Sequence, residues 1–250
     1  GVAGAFGGFS NDWLILAGGA NFPKSVPWEG GVKQWYRTAY IRKAGSPNQD
    51  WIVLLDALPR PLAYGASIQL EKGVLCIGGC DDEQCYSEVF LLTVQGDSIR
   101  IDSNYPSLPV PLANMTASLI DNKVFVAGGQ EGMHIQSASS HFFMLDLDDI
   151  KAGWKALSSW PGAPRGYAVS AGQSDGFDKC FYLFSGRNYH DDVVDVLTDG
   201  YAYNPRLKTW KKLKGYFPVM AGAAVAFGAN HIVELCHQRG IEVFGEEDEV

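Results

Sequence analysis

Apolar positions along this chain gather in short runs rather than helical stripes. Four times a run closes on a pair of small residues. Trp13-Leu14-Ile15-Leu16-Ala17 precedes Gly18-Gly19, Val74-Leu75-Cys76-Ile77 precedes Gly78-Gly79, Val124-Phe125-Val126-Ala127 precedes Gly128-Gly129, and Phe181-Tyr182-Leu183-Phe184 precedes Ser185-Gly186. Short apolar runs bounded by turn residues predict strands covered on both faces. Past each pair comes an aromatic-rich strand: Trp35 to Ile41, Val89 to Val94, His141 to Leu147 and Gly200 to Asn204. A tryptophan follows three of these, at Trp51, Trp154 and Trp210, where a large flat side chain can wedge between neighbouring sheets. A proline-marked turn then leads into a strand of small residues: Pro61 to Ser67, Pro111 to Ser118, Pro164 to Ser170 and Pro218 to Ala224, with Gly1 to Gly8 of the same kind.

The recurrence at roughly fifty residues is the period of a kelch repeat, in which each unit is one four-stranded blade that buries its faces only against neighbours. The expected fold is therefore all-β, a kelch-type β-propeller. Small residues suit its innermost strands, which converge on a narrow central channel. At that period the 250 residues supply four blades and the start of a fifth. The fifth inner strand, Pro218 to Gly228, continues into Asn230-His231-Ile232-Val233, but no small pair follows. The sequence thus predicts propeller over residues 1–235 and a non-repeat acidic tail over 236–250, ending in Glu246 to Glu249. A truncated six-bladed propeller is the favoured account, and a compact five-bladed ring the alternative.

With 46% hydrophobic and 19% charged residues the chain has ample material for one core. A net charge of −8 with no basic face disfavours nucleic acid or an anionic membrane as partner, and no apolar run is long enough for a membrane-spanning helix. An anionic ligand must then be captured by a few focused arginines. The chain opens at Gly1 without a signal-like segment, so any leader is expected to be already removed. Cys76 and Cys180 sit inside apolar strands as core residues, while Cys80 and Cys85 flank the acidic loop Asp81-Asp82-Glu83 and can bridge in an oxidising compartment. His134, His141, His190, His231 and His237 lack metal-site spacing, and His190-Asp191-Asp192 reads as a solvated loop, so neither a metal nor another cofactor is expected.

The candidate chemistry lies in the long loop after the first pair. It runs Ala20-Asn21-Phe22-Pro23, then Val26-Pro27-Trp28-Glu29-Gly30-Gly31-Val32-Lys33, before Trp35-Tyr36. A loop this long is more than a hairpin needs, and long structured loops tend to be functional. Glu29 stands between an indole and two glycines, a setting in which Trp28 can desolvate the acid while glycine lets the backbone approach a ligand.

Gly18-Gly19-Ala20-Asn21-Phe22-Pro23, the Trp28 to Lys33 segment, Leu58-Pro59-Arg60-Pro61-Leu62-Ala63-Tyr64-Gly65 and Ser185-Gly186-Arg187-Asn188 together resemble the sialic acid mutarotases, the N-acetylneuraminate epimerase family of kelch propellers. The likeness spans roughly residues 1 to 232 and is greatest to a cyclically permuted branch. The family's proton-accepting glutamate falls on Glu29, and its preceding histidine is replaced here by Trp28. The resemblance implies exchange between the α and β anomers of N-acetylneuraminate, a small acidic sugar, in the bacterial periplasm. Glu29 is then the general base. Arg60, Arg165 and Arg187 are the candidates for gripping the substrate carboxylate, since a guanidinium binds carboxylate in two places at once, with Arg60 placed beside Glu29 in the catalytic group. Asn21, Trp28, Tyr64, Asn114, Tyr167 and Asn188 are candidate contacts to the sugar. Two other classes remain open: a kelch module that binds protein without catalysis, and a binder or isomerase of another acidic sugar.

Overall fold

The computed structural model describes residues 1–46, 50–133, 136, 138–190, 193–214, 218–236 and 240–245. His134, Asp191, Asp192, His237 and the acidic residues 246–249 named above lie outside the described residues. The chain divides into two compact units, residues 1–113 with 131–133 and residues 114–130 with 134–250.

The first unit holds β1 (Phe6–Ser10), β2 (Trp13–Ala17), β3 (Ala20–Asn21), β4 (Gln34–Trp35), β5 (Ala39–Lys43), β6 (Ile52–Leu54), β7 (Ala66–Gln69), β8 (Val74–Ile77), β9 (Val89–Gln95) and β10 (Ser98–Asp102). Strands β1-β2-β5-β6 form one antiparallel four-stranded blade, β7 to β10 form the next, and β3 with β4 makes a two-stranded ribbon. The aromatic strand expected from Trp35 to Ile41 is therefore divided. Trp35 pairs with Ala20 in the ribbon, and the blade strand begins only at Ala39. The cause lies in the backbone at the break, where the Tyr36 N–H turns to the Gly19 carbonyl and the Arg37 carbonyl accepts from Leu58.

The second unit holds β11 (Thr116–Ile120), β12 (Lys123–Ala127), β13 (Phe142–Asp146), β14 (Lys155–Ala156), β15 (Val169–Ser174), β16 (Lys179–Phe184), β17 (Arg187–His190), β18 (Val193–Val196), β19 (Gly200–Asn204), β20 (Thr209–Leu213), β21 (Ala223–Phe227), β22 (His231–Cys236) and β23 (Gly240–Gly245). Two more four-stranded blades follow, β11 to β14 and β15-β16-β19-β20, then a three-stranded sheet β21-β22-β23 and the hairpin β17-β18. Residues 240–245 fall inside the segment 236–250 and pair along β22 from His231 opposite Gly245 to Cys236 opposite Gly240. Among the described residues no helix is long and apolar enough to cross a membrane.

Burial follows position within the blade. The second strand is covered on both faces in β8, where Val74, Leu75, Cys76 and Ile77 are all buried, and nearly so in β12 and β16, which is why these read as unbroken apolar runs; β2 departs from the expectation, with Leu16 exposed and only Ile15 and Ala17 buried. Outer strands such as β10 alternate exposed and half-buried residues with the period of two that one covered face imposes. The cores lie between adjacent blades. In the first unit Phe6, Ile15 and Ile41 pack with Val74, Phe90 and Leu92. In the second, Trp210 stands among Phe142, Tyr203 and Trp160, 4.8 Å from Phe142 and 5.1 Å from Tyr203 between ring centres, and donates through its indole to the Ser158 carbonyl. It is the wedge between third and fourth blades.

The small pairs do the joining. Gly18, Gly78, Gly128 and Ser185 have φ between 51° and 70°, and the residue after each has φ between 87° and 108°. That double left-handed step turns the second residue's N–H outward from its own blade. Gly19 donates to the Leu62 carbonyl at 2.9 Å, Gly79 to Leu112 at 2.8 Å, Gly129 to Arg165 at 2.8 Å and Gly186 to Val219 at 3.0 Å. Each acceptor lies two residues before another left-handed residue: Tyr64, Asn114, Tyr167 and Ala221 respectively.

A methyl group at Gly128 would stand 2.3 Å from the Arg165 carbonyl oxygen, whereas one at Gly45, at φ 73°, meets nothing within 4 Å. Gly45→Ala is expected to cost about 1–2 kcal/mol through left-handed strain alone. Gly128→Ala adds the loss of a buried blade-to-blade contact and should cost about 3 kcal/mol or more. Denaturant midpoints of the two variants check this, and equal losses would contradict the joining role.

Candidate functional site

Two clusters of chemistry-bearing side chains are present, one on each unit. In the first, the loop of residues 22–33 is held at its base by the ribbon β3-β4 and by Asn21, whose Oδ1 accepts from the Tyr36 hydroxyl at 2.7 Å. Within the loop a single 3-10 turn, Pro27–Glu29, closes on Gly30 at φ 79°. Lys33 leaves the loop and lays its ammonium over two aromatic faces, 4.2 Å from the Tyr64 ring centre and 4.9 Å from that of Trp35. A cation held this way keeps its charge while shedding water. The indole Nε1–H of Trp35 is buried beside it without a hydrogen-bond partner among the described residues.

Tyr64 itself is a tyrosine at φ 62°, a conformation that glycine adopts freely and a bulky residue does not. Its N–H donates to the Gly4 carbonyl at 2.8 Å, and beneath it lie Cys80, Cys85 and Ala113. Glu29 and Trp28 are both exposed, Trp28 by 82%. The expected desolvation of Glu29 by the indole is thus corrected: the 3-10 turn projects both side chains into solvent.

The second cluster repeats the device. Tyr167, at φ 59°, carries the Arg187 guanidinium 4.0 Å from its ring centre. Residues 166 and 187 exchange both backbone hydrogen bonds, at 3.0 and 2.9 Å, which sets the arginine over the tyrosine. The Tyr167 N–H donates to the carbonyl of Asn114, itself at φ 55°. The Asn114 amide donates to Gln130 Oε1 at 2.8 Å. Arg187 Nε is buried with no hydrogen-bond partner among the described residues. Asn188 follows in β17, half-buried and opposite Asp195.

The other two arginines of the sequence reading have partners in the protein. Arg60 pairs with Glu88 at 2.9 Å and stacks on Tyr86, 4.4 Å from the ring centre. Tyr86 donates to Asp81, whose carboxylate also accepts the N–H groups of Glu83 and Gln84. Arg60 and Glu88 border a cavity of about 220 Å³ shared with Phe90, Ile101 and Tyr105. Arg165 is wholly buried: it forks onto both Asp199 oxygens at 2.7 and 3.1 Å and donates to the Ser185 carbonyl at 2.8 Å. Gln130, 3% exposed, was not a candidate from sequence. The signal was available, because the residue after each small pair takes the equivalent place: Ala20, Cys80, Gln130 and Arg187. Among the described residues no three His, Cys, Asp or Glu side chains converge as a metal site would require.

Comparison with known proteins agrees with this architecture. A family model described as N-acetylneuraminate epimerase matches residues 105–241, more than half of the chain. N-acetylneuraminate epimerase of Haemophilus influenzae (strain PittEE) is 34% identical over 128 residues, which is 51% of this chain and 31% of that protein. The Yersinia pestis (strain Pestoides F) protein of the same name is 33% identical over 134 residues, with the same coverage. The chain thus matches about a third of the length of these curated relatives. A solved structure titled "Structure of YjhT" superposes with a TM-score of 0.73 at 12% identity, covering 97% of this chain and 83% of that one. The fold is a kelch-type β-propeller. The family match takes in Asn114, Arg165, Tyr167, Arg187 and Asn188 and leaves the Glu29 loop outside it.

The Arg165–Asp199 pair generates a pH prediction. Burial alone would raise the Asp199 pKa, but the hydrogen bonds from Arg165 and Tyr201 outweigh it and hold the carboxyl below its usual value. A depressed folded pKa gives stability that is complete above the unfolded value of about 3.9 and is lost as the pH falls through the folded one. Asp199→Asn should cost about 3–5 kcal/mol at neutral pH by leaving a buried guanidinium without its counter-charge. It should also flatten the loss of stability below about pH 4, read by urea unfolding across a pH series.

Proposed function

The chain belongs to the N-acetylneuraminate epimerase family, and we propose that it is an isomerase that exchanges the α and β anomers of N-acetylneuraminate. The single observation that carries this reading is the state of Arg187. Its face is covered by Tyr167, its Nε–H is buried without a partner among the described residues, and the tyrosine beneath it is held in a costly backbone conformation. A buried donor left unmade costs about 1–3 kcal/mol, more when charged, and is kept where a ligand supplies the acceptor. The five N–H donors of a guanidinium lie in its plane, so a cation stacked on a ring still offers its edge to a carboxylate. N-acetylneuraminate bears its carboxylate on the anomeric carbon, so binding it there fixes the reacting centre.

Anomer exchange needs the proton of the anomeric hydroxyl to leave while the ring oxygen gains one. The bond from anomeric carbon to ring oxygen then breaks, the hydroxyl oxygen becomes a ketone oxygen, and reclosure on the other face restores the ring. No atom is gained or lost. Both oxygens are bonded to the same carbon, so one carboxylate can take the proton with one of its oxygens and deliver it with the other. Glu29 is assigned this role: its loop gives an exposed, accessible carboxylate, and Lys33, four residues on, places a positive charge on Tyr64 at the same unit's cluster. Asn114 with Gln130, together with Asn188, supplies amide donors and acceptors for hydroxyl and N-acetyl groups.

Saturation transfer between anomer resonances in proton NMR measures the exchange at equilibrium. Glu29→Gln should slow catalysed exchange by about 10²–10⁴-fold while leaving binding in place. Arg187→Lys should raise KM about 10–100-fold with a smaller change in kcat, because a fork is replaced by a point charge. Exchange at the buffer rate from the folded wild-type chain would reject catalysis and favour a propeller that only binds.

A further inference from the structure

Cys80 and Cys85 face each other across a tight hairpin and pair as an antiparallel bridge. The backbone bonds around them are those of their neighbours, from the Tyr86 N–H to the Gly79 carbonyl at 2.8 Å and from the Asp81 N–H to the Gln84 carbonyl at 3.1 Å. The Cys80 N–H and carbonyl are both used by Ala63, at 2.8 and 2.9 Å. The two cysteines are therefore a non-hydrogen-bonded cross-strand pair, the closer kind, with Cα atoms about 4.5 Å apart and side chains on one face. A disulfide requires Cα atoms about 4.4–6.8 Å apart. The hairpin supplies that geometry without moving its backbone, and its tip is already fixed by the Asp81 carboxylate, which accepts from Glu83 and Gln84.

Both residues are thiols in the structure, with Cys80 2% and Cys85 7% exposed. The neighbouring thiol raises Cys80, as does burial, while the same neighbour lowers Cys85. The asymmetry assigns roles, since the thiolate is the attacking form and Cys85 is both the easier to ionise and the more accessible.

We propose that Cys80 and Cys85 are an oxidisable pair that closes into a disulfide within the hairpin by exchange with an external disulfide. The Cys85 thiolate attacks one sulfur of that disulfide, forming a mixed disulfide and expelling a thiolate. The Cys80 sulfur, giving up its proton, then attacks Cys85 Sγ, forms the intramolecular bond and expels the second thiolate. Two protein thiols are oxidised, one external disulfide is reduced to two thiols, and the two protons end on those products. The new bond lies directly under Tyr64, which packs on both cysteines and carries Lys33 on its ring. Oxidation would pin the floor of the first cluster. This inference does not depend on the anomerase reading.

The test uses the intact chain incubated with excess oxidised glutathione, then denatured, alkylated and cut with trypsin. Cleavage after Lys72 and Arg100 releases residues 73–100, which contain Cys76, Cys80 and Cys85. The expected peptide carries one alkyl group, on Cys76, and is lighter by two hydrogens. Three alkyl groups, a bond that uses Cys76, or glutathione retained on Cys85 would overturn the proposal. The oxidised protein should lose a few degrees of Tm when dithiothreitol is added, and a Cys80→Ser, Cys85→Ser double variant should not respond. Cys80→Ser should trap glutathione on Cys85, while Cys85→Ser should leave Cys80 unmodified; the reverse pattern would refute the assigned order.

Discussion

One backbone hydrogen bond, made once per repeat, holds the architecture together. Within each unit the N–H of the second residue in a small pair points away from its own blade and reaches the carbonyl that opens the next, Gly19 to Leu62 in the first and Gly129 to Arg165 and Gly186 to Val219 in the second. Two consecutive left-handed residues are needed to turn it there, and the approach is so close that a side chain on the first would strike the acceptor, as the 2.2 Å and 2.3 Å positions beside Leu62 and Arg165 show. Glycine is consequently required by geometry at the first position, and the fourth repeat shows what an exception entails. Ser185 takes the left-handed conformation, and its hydroxyl is absorbed into the joint: it donates to the Leu197 carbonyl and accepts from Val219, while its own carbonyl is held by Arg165. A serine is accommodated there only with an arginine and an aspartate arranged around it.

The same joint displays the candidate chemistry. Immediately after the acceptor carbonyl the chain must kink into the following inner strand, and it does so through a left-handed residue whose N–H donates to its counterpart one blade earlier, Tyr64 to Gly4, Tyr167 to Asn114 and Ala221 to Tyr167. Strain of about 1–3 kcal/mol at a tyrosine persists only where the surroundings over-determine it. Here the surroundings are two backbone hydrogen-bond systems, and the result is an aromatic face presented at a fixed angle. Both tyrosines use that face to hold a cation, Lys33 in one unit and Arg187 in the other. Alanine occupies the equivalent position in the last sheet, where the kink is made and no ring is offered.

Much of this was legible in the sequence, and the reason is local. Apolar runs that stop at a glycine pair reflect well-covered strands and a turn only glycine makes easily, so the all-β blades and most of their buried second strands could be read directly, while the exposure of Leu16 in β2 could not. The division of the Trp35 to Ile41 segment could not, because it depends on Gly19 and Leu58 claiming the backbone at the break. The arginines were harder still. Arg60 and Arg165 stand at the entries to inner strands and Arg187 directly after a small pair, and what decides the fate of each is distant in sequence: Glu88 beside Arg60, Asp199 around Arg165, and Tyr167 beneath Arg187. Gln130 escaped notice since an amide following two glycines carries no signature of its own. Only its repeat position, shared with Arg187, distinguishes it.

The geometry also separates two kinds of residue that a sequence alone treats alike. Tyr64, Asn114, Tyr167 and Arg187 belong to the joints, so the backbone that positions them is the backbone that ties blade to blade, and they cannot drift without loosening the fold. Glu29 belongs to a ribbon appended to the first blade through Ala20 and Trp35, and its side chain meets solvent. Changes there leave the joints untouched. A scaffold built this way keeps the aromatic faces that carry Lys33 and Arg187 rigid, while Trp28, 82% exposed, lies on a loop outside the joints. The proposed recognition of an anion thus rests on the part of the repeat that the joints hold fixed, and the proposed proton transfer on a loop that they do not.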